Sequence, residues 1–203
     1  MRASPWPIRK PPNPTSQSDS IEEPDRLKIG YCCRLQGGIT EDKTMKLFSG
    51  ALLDQLSAKA AASARGRANH NVHASADDPV QRFFVVANRH SYFRPHRHRT
   101  KSELALVVRG GFDVVTFDES GCVLARYVVN AGGEHLGYET PRATWHTLIA
   151  HADGSTFLEI KEGPYDQATA AEFAPWAPPE GDARAPQFLE WLRIAQPGER
   201  ARL

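Results

Sequence analysis

From Val80 onward apolar and polar residues alternate in short runs, the period-two signature of half-buried strands. Such runs cover 80–88, 91–98, 103–109, 112–118, 122–130, 134–140, 146–151 and 155–161. Turn residues separate them at Gly110-Gly111, Glu119-Ser120-Gly121, Ala131-Gly132-Gly133 and Ala152-Asp153-Gly154. Strands at this spacing predict an all-β sandwich or barrel, most compactly a jelly roll. Upstream the period changes. Phe48, Leu52, Leu53, Leu56 and Ala60 recur at helical spacing, predicting an amphipathic helix over 46–64 that Arg65-Gly66 ends. After Gly163 the strands stop. Phe173, Trp176 and nearby prolines predict an irregular arm, and Phe188, Leu189 and Leu192 share one face of a short helix over 186–195.

Four segments follow from this pattern. Residues 1–44 read as a disordered extension, because Pro5, Pro7, Pro11, Pro12, Pro14 and Pro24 break helix and sheet alike. Residues 45–79 hold the N-terminal helix and a lead-in segment, 80–163 the barrel, and 164–203 the C-terminal arm. Met45, where the folded pattern opens, is an alternative start to Met1. Strand 103–109 is apolar on both faces, with Leu104, Leu106 and Val108 pointing away from the core side. The helix, the arm or a second subunit should cover them, and a homodimer is expected.

Composition changes this picture little. The chain has 203 residues and a formal net charge of +1, so nothing global favours nucleic acid or a membrane surface as partner. Locally, six Lys/Arg and no acidic residue fall between Arg82 and Lys101, which fits either an anionic ligand or a solvated basic edge. Cys32, Cys33 and Cys122 form neither a disulfide framework nor a CxxC metal site, so a reducing cytoplasm is the expected setting. No apolar run reaches the roughly 18 residues of a membrane span, and the N-terminus does not read as a signal peptide.

The chemistry gathers around Arg94-Pro-His96-Arg-His98. Two histidines two residues apart in extended chain share a face. Glu103 opens the next strand on its inward side, and His146 opens a later one. Three imidazoles and a carboxylate form a common ligand set for a divalent transition metal and leave one or two positions open to water or substrate. The same alternation puts Tyr92 and Arg94 on the histidine face. There Arg94 would grip a carboxylate or phosphate in two-pronged fashion, and Tyr92 would be a candidate acid. Asn69, Asn71 and His73, spaced by two, are candidate substrate hydrogen-bonders, though loop asparagines also serve backbone groups. Lys161 and Glu159 share a strand face. Lys161 is a candidate for proton transfer, and an edge salt bridge is the simpler expectation. Tyr165 stands beside Tyr92 as a second candidate acid.

These residues resemble the two motifs of the cupin superfamily. His96, His98, Glu103 and Gly110, separated by one, four and six residues, match the first. Pro141, Ala143 and His146 match the second, with alanine where the family has glycine. His90 and Ala150 replace a further glycine and asparagine, departures that affect turns rather than ligands. More narrowly, the chain resembles the WbuC family of cupin-fold metalloproteins. The resemblance runs from Met45 to about Gly181 through Arg67-Ala-Asn69-His70-Asn71-Val-His73, Asp78-Pro-Val-Gln-Arg82, Arg94 to Glu103, Thr144-Trp-His-Thr147, Lys161-Glu-Gly-Pro-Tyr-Asp166 and Glu172-Phe-Ala-Pro-Trp176. It implies a cupin double-stranded β-helix with a bound metal, often encoded among polysaccharide biosynthesis genes, and no established reaction.

Three functions remain open at this point. One is a metal-dependent isomerase or epimerase acting on a small anionic or sugar-derived substrate, with the metal as Lewis acid. Another is an iron-dependent dioxygenase. The third is a non-catalytic cupin module that binds metal or sugar. The metal itself is Fe, Zn, Mn or Ni on this reading.

Overall fold

The computed structural model describes residues 45–200. The extension expected over 1–44, with Cys32 and Cys33, lies outside the described residues. Ten strands form two antiparallel five-stranded sheets. The first contains, in spatial order, β1 (Arg67–Asn71), β2 (Val80–Ala87), β9 (Ser155–Glu162), β4 (Glu103–Arg109) and β7 (Gly137–Thr140). The second contains β10 (Glu172–Phe173), β3 (His96–Arg97), β8 (Trp145–Ala150), β5 (Gly111–Phe117) and β6 (Val123–Asn130). The chain is an all-β jelly roll. Its sheets face each other across Val85, Ala105, Val107, Phe112, Leu148 and Phe157, all buried.

Two further layers close the sandwich. Helix α1 (Gly50–Ala62) lays Leu56 and Ala60 on Phe84 and Val86 of β2. It starts four residues later than the periodicity predicts, because the Ser49 hydroxyl accepts the Leu52 N–H and caps it there. On the other side, helix α2 (Ala185–Ile194) and the arm cover the second sheet. Phe188, Leu189 and Leu192 pack with Tyr92, Trp145 and Trp176.

Strands come from both flanks of the 80–163 segment: β1 precedes it, and β10 follows it to pair with β3, Phe173 opposite His96. The alternation over 91–98 yields only the two-residue β3. The chain turns at Asn88–Ser91, where Ser91 N–H donates to the Asn88 carbonyl at 2.9 Å, and Pro95 has no N–H for a ladder. At the β4–β5 corner Gly110 has φ +66°, and a Cβ there would sit 2.6 Å from the Ser155 hydroxyl. Helix α1 covers the β1–β2 half of the first sheet, so on β4 Leu104, Leu106 and Val108 stay 36, 42 and 42 % exposed. Among the described residues no helix is long and apolar enough to cross a membrane.

Candidate metal centre

Both sheets contribute candidate metal ligands. His96 on β3 lies directly opposite His146 on β8, and His98 follows two residues after His96. Glu103, the first residue of β4, reaches across from the other sheet and is 3 % exposed. One donor atom from each of the four lies within 4.8 Å of all the others. The turn before β8 keeps this alignment. Ala143 takes φ +60°, the left-handed conformation that suits glycine, and its N–H donates to the His98 carbonyl at 2.7 Å. The alanine in the glycine position of the motif thus adopts the glycine conformation.

Each imidazole is oriented from behind by a backbone carbonyl. His96 Nδ1 is 3.0 Å from the Arg94 carbonyl, His146 Nδ1 is 3.0 Å from the Thr144 carbonyl, and His98 Nδ1 bonds the Ala170 carbonyl in the arm. A carbonyl only accepts, so every Nδ1 carries the proton and every Nε2 of a neutral ring offers a lone pair. These lone pairs meet a carboxylate. His98 Nε2 is 2.8 Å from Glu103 Oε2, and His146 Nε2 is 3.8 Å from Oε1. The His146 ring is fully buried, and its Nε2 has no hydrogen-bond partner. Lone pairs and a carboxylate aimed at one point could hold a cation between them. A transition-metal ion satisfies all four donors, and outer carbonyls that fix the Nδ1–H tautomer are the usual surroundings of such ligands.

The electrostatics agree with that donor set. Burial and the neighbouring His146 push His96 down to about 3, so its ring stays neutral. Burial works to raise the Glu103 carboxyl. Hydrogen bonds from His146 and His98 when those rings are protonated, with the Lys161 ammonium, outweigh it and hold Glu103 well below its ordinary value; a cation held between neutral rings would do the same.

Beside the ligands runs a cavity of about 220 Å³ bounded by His96, Glu103, Glu159, Lys161, Asn69 and Phe83, among others. Lys161 Nζ is 2.6 Å from Glu159 and 3.9 Å from Glu103. The simpler expectation for Lys161 and Glu159, an edge salt bridge, is therefore corrected. Strand β9 lies in the middle of its sheet, so its inward side chains meet the barrel interior rather than solvent. Burial and the nearby Glu103 carboxylate push Glu159 up to about 8.

The remaining candidates fall in three places. Asn69 lines this cavity and an adjoining one of about 450 Å³, which Asn71, His73, Gln81 and half-exposed Tyr165 also line. Asn69 donates to Asn71 at 3.0 Å, and His73 Nδ1 is tied to the Arg82 backbone. Tyr92 and Arg94 are not brought to the cavity. Tyr92 is buried under α2 and donates its hydroxyl to the Pro178 carbonyl at 2.9 Å. Arg94 donates to the Ala174 carbonyl at 2.8 Å, with its guanidinium over the Phe173 ring. Alternation fails for them because residues 88–95 are not a strand. The sequence reading passed over Arg67, which continues the row of Asn69 and Asn71 at the same period-two spacing and lines the cavity. It also passed over Ala170, whose tie to His98 depends on the arm folding back.

Residues 48–129 match the model of a family described as a domain of unknown function, DUF6016. That stretch includes His96, His98 and Glu103 and stops before His146. No curated protein matches the chain. Among solved structures, KdgF from Halomonas sp. is 20 % identical over 50 % of this chain and 82 % of its own, with a TM-score of 0.40. The capsular polysaccharide assembling protein CapF from Staphylococcus aureus is 18 % identical over 55 % of this chain and 30 % of its own, at 0.45. A sugar phosphate isomerase of the cupin superfamily from Silicibacter pomeroyi is 16 % identical over 48 % and 59 %, at 0.38. The sheet order, rather than these partial overlaps, makes the chain an all-β jelly roll.

Proposed function

We propose that this protein binds one divalent transition metal through His96, His98, Glu103 and His146 and presents it to a small anionic or sugar-derived substrate in the barrel. One observation carries the reading: three imidazoles with their protons fixed on Nδ1 aim their remaining lone pairs, with one carboxylate, at a common point. When bound, the metal supplies Lewis acidity toward a carbonyl or hydroxyl oxygen of the substrate. The chain's own residues do the rest. The Lys161–Glu159 pair stands at the cavity wall beside Glu103, placed to give and take a proton at an adjacent carbon. Asn69 and Asn71 offer amides to sugar hydroxyls, and Phe83 gives a ring face to the same space. Such a site suits isomerisation or epimerisation of a keto-sugar. The likeness to the WbuC family, often encoded among polysaccharide biosynthesis genes, favours that class over oxygen chemistry. We also propose a homodimer built on the uncovered β4 face.

The deciding experiment is elemental analysis of the purified chain beside His96→Ala and His146→Ala. About one metal atom per chain, lost in both variants, is the expected result. Its identity then directs the assays, iron toward oxygen consumption and zinc, manganese or nickel toward isomerase screens with anionic sugars. No metal in any preparation, with added metal leaving the melting temperature unchanged, would overturn the assignment.

A further inference from the structure

Beyond the candidate ligands, the cavity wall holds two guanidiniums. Arg65 and Arg67 line the same 220 Å³ cavity as His96 and Glu103. The backbone positions that carry the two groups are spaced along β2. Arg67 pairs with Ala87, whereas the row of Glu103 and Lys161 meets β2 at Gln81, roughly 20 Å away at about 3.3 Å per residue. Arg67 is held as a rigid donor. Its side chain is 12 % exposed, it donates to the Tyr92 carbonyl at 2.7 Å and to the Ser91 hydroxyl at 3.4 Å, and it stacks on Phe93. A guanidinium this buried needs an anion.

The anion present is the chain's own. Arg65 donates to both Glu180 carboxylate oxygens, through Nε at 2.7 Å and Nη2 at 3.1 Å, and Arg67 donates to the second of them. It belongs to the arm, between Pro179 and Gly181, and a Cβ on Gly181 would touch nothing within 4 Å, so the segment is open on that side. Glu180, Arg65 and Arg67 also line a surface groove of about 1440 Å³ between the barrel and α2. The Glu180 carboxylate therefore stands where the groove meets the cavity. We propose that Arg65 and Arg67 form an anion-binding site for a carboxylate or phosphate group of the ligand, and that Glu180 is a placeholder which the incoming anion displaces. The arrangement assigns ligand recognition to a pair of arginines in place of Arg94, whose donors face the arm. It rests on the reading of the barrel cavity as a ligand site and does not require the metal.

The test is calorimetric titration of the full-length, metal-loaded protein with inorganic phosphate. Glu180→Gln keeps the side-chain shape and removes the competing charge, so phosphate should bind at least tenfold more tightly than to the wild type. Arg65 is 62 % exposed and tolerates substitution, so Arg65→Gln added to Glu180→Gln should cancel that gain without a change in melting temperature. An affinity unaffected by Glu180→Gln overturns the proposal. So does a gain that survives Arg65→Gln, which would place the phosphate on the metal. Repeating the titration after chelation separates the two readings, because the arginine site keeps its tenfold gain even if the metal assignment fails.

Discussion

Removing the charge of Glu103 while keeping its shape is the sharpest perturbation of the proposed centre. Glu103→Gln leaves a buried amide, 2.8 Å from His98 Nε2 and 3.8 Å from His146 Nε2, in place of the only anionic ligand. Changing residues that merely orient metal ligands costs about 10- to 100-fold in affinity, so loss of a ligand charge should cost at least about 100-fold. Linkage converts this into stability. A wild-type chain in metal at about 100 times its Kd gains roughly 2.7 kcal/mol, and a variant weakened 100-fold gains only about 0.4 kcal/mol at the same concentration. For a chain of this size about 1 kcal/mol corresponds to roughly 2–4 °C. Added metal should therefore raise the wild-type melting temperature by about 5–11 °C and that of Glu103→Gln by about 1–2 °C. Thermal melts with and without chelator measure this, with exposed His135→Ala as a control that keeps the full shift. A Glu103→Gln variant that retained the wild-type shift would refute the reasoning, since the metal would then sit elsewhere.

Three further outcomes are expected. Ala143→Gly relieves a left-handed alanine, worth about 1–2 kcal/mol, against about 0.4–1 kcal/mol of added unfolded-state freedom, so the melting temperature should rise, by up to about 6 °C, rather than fall. Leu106→Lys on the uncovered face of β4 should convert a dimer to a monomer in light scattering while leaving the metal content unchanged. Burial works to raise the Glu180 carboxyl, but its bond to Arg65 and the nearby Arg67 charge hold it below its ordinary value. A depressed carboxyl contributes stability above its unfolded pKa, and the contribution disappears as pH falls through the folded value. Hydrogen exchange over residues 177–183 should therefore rise on acidification below about pH 4.5 in the wild type and be high throughout in Glu180→Gln.

Most of the strands, and the four residues that cluster as candidate ligands, were legible from the periods of their segments. Alternation fixed β4 and placed Glu103, Ala105 and Val107 on one side, and spacing by two fixed His96 with His98. Legibility ended where the chain left its period. Tyr92 and Arg94 share the parity of His96, but the turn at Asn88–Ser91 and Pro95 break the strand, and both side chains pack against the arm. Arg67 carried a readable signal in its parity with Asn69 and Asn71. Ala170 carried none, since a backbone carbonyl has no signature in sequence, and its role arises only when β10 pairs with β3.

That carbonyl ties metal competence to the order in which the molecule is made. Synthesis delivers His96, His98, Glu103 and His146 well before residue 170 emerges, so a nascent chain can hold all four donors with His98 still free to rotate. Only when the arm has returned does the Ala170 carbonyl fix the third imidazole. If the proposed centre holds metal, tight retention then reports that the arm has docked. In the proposed centre, a chain cleaved between β9 and β10 would lose this second contact to His98 and hold its ion less tightly.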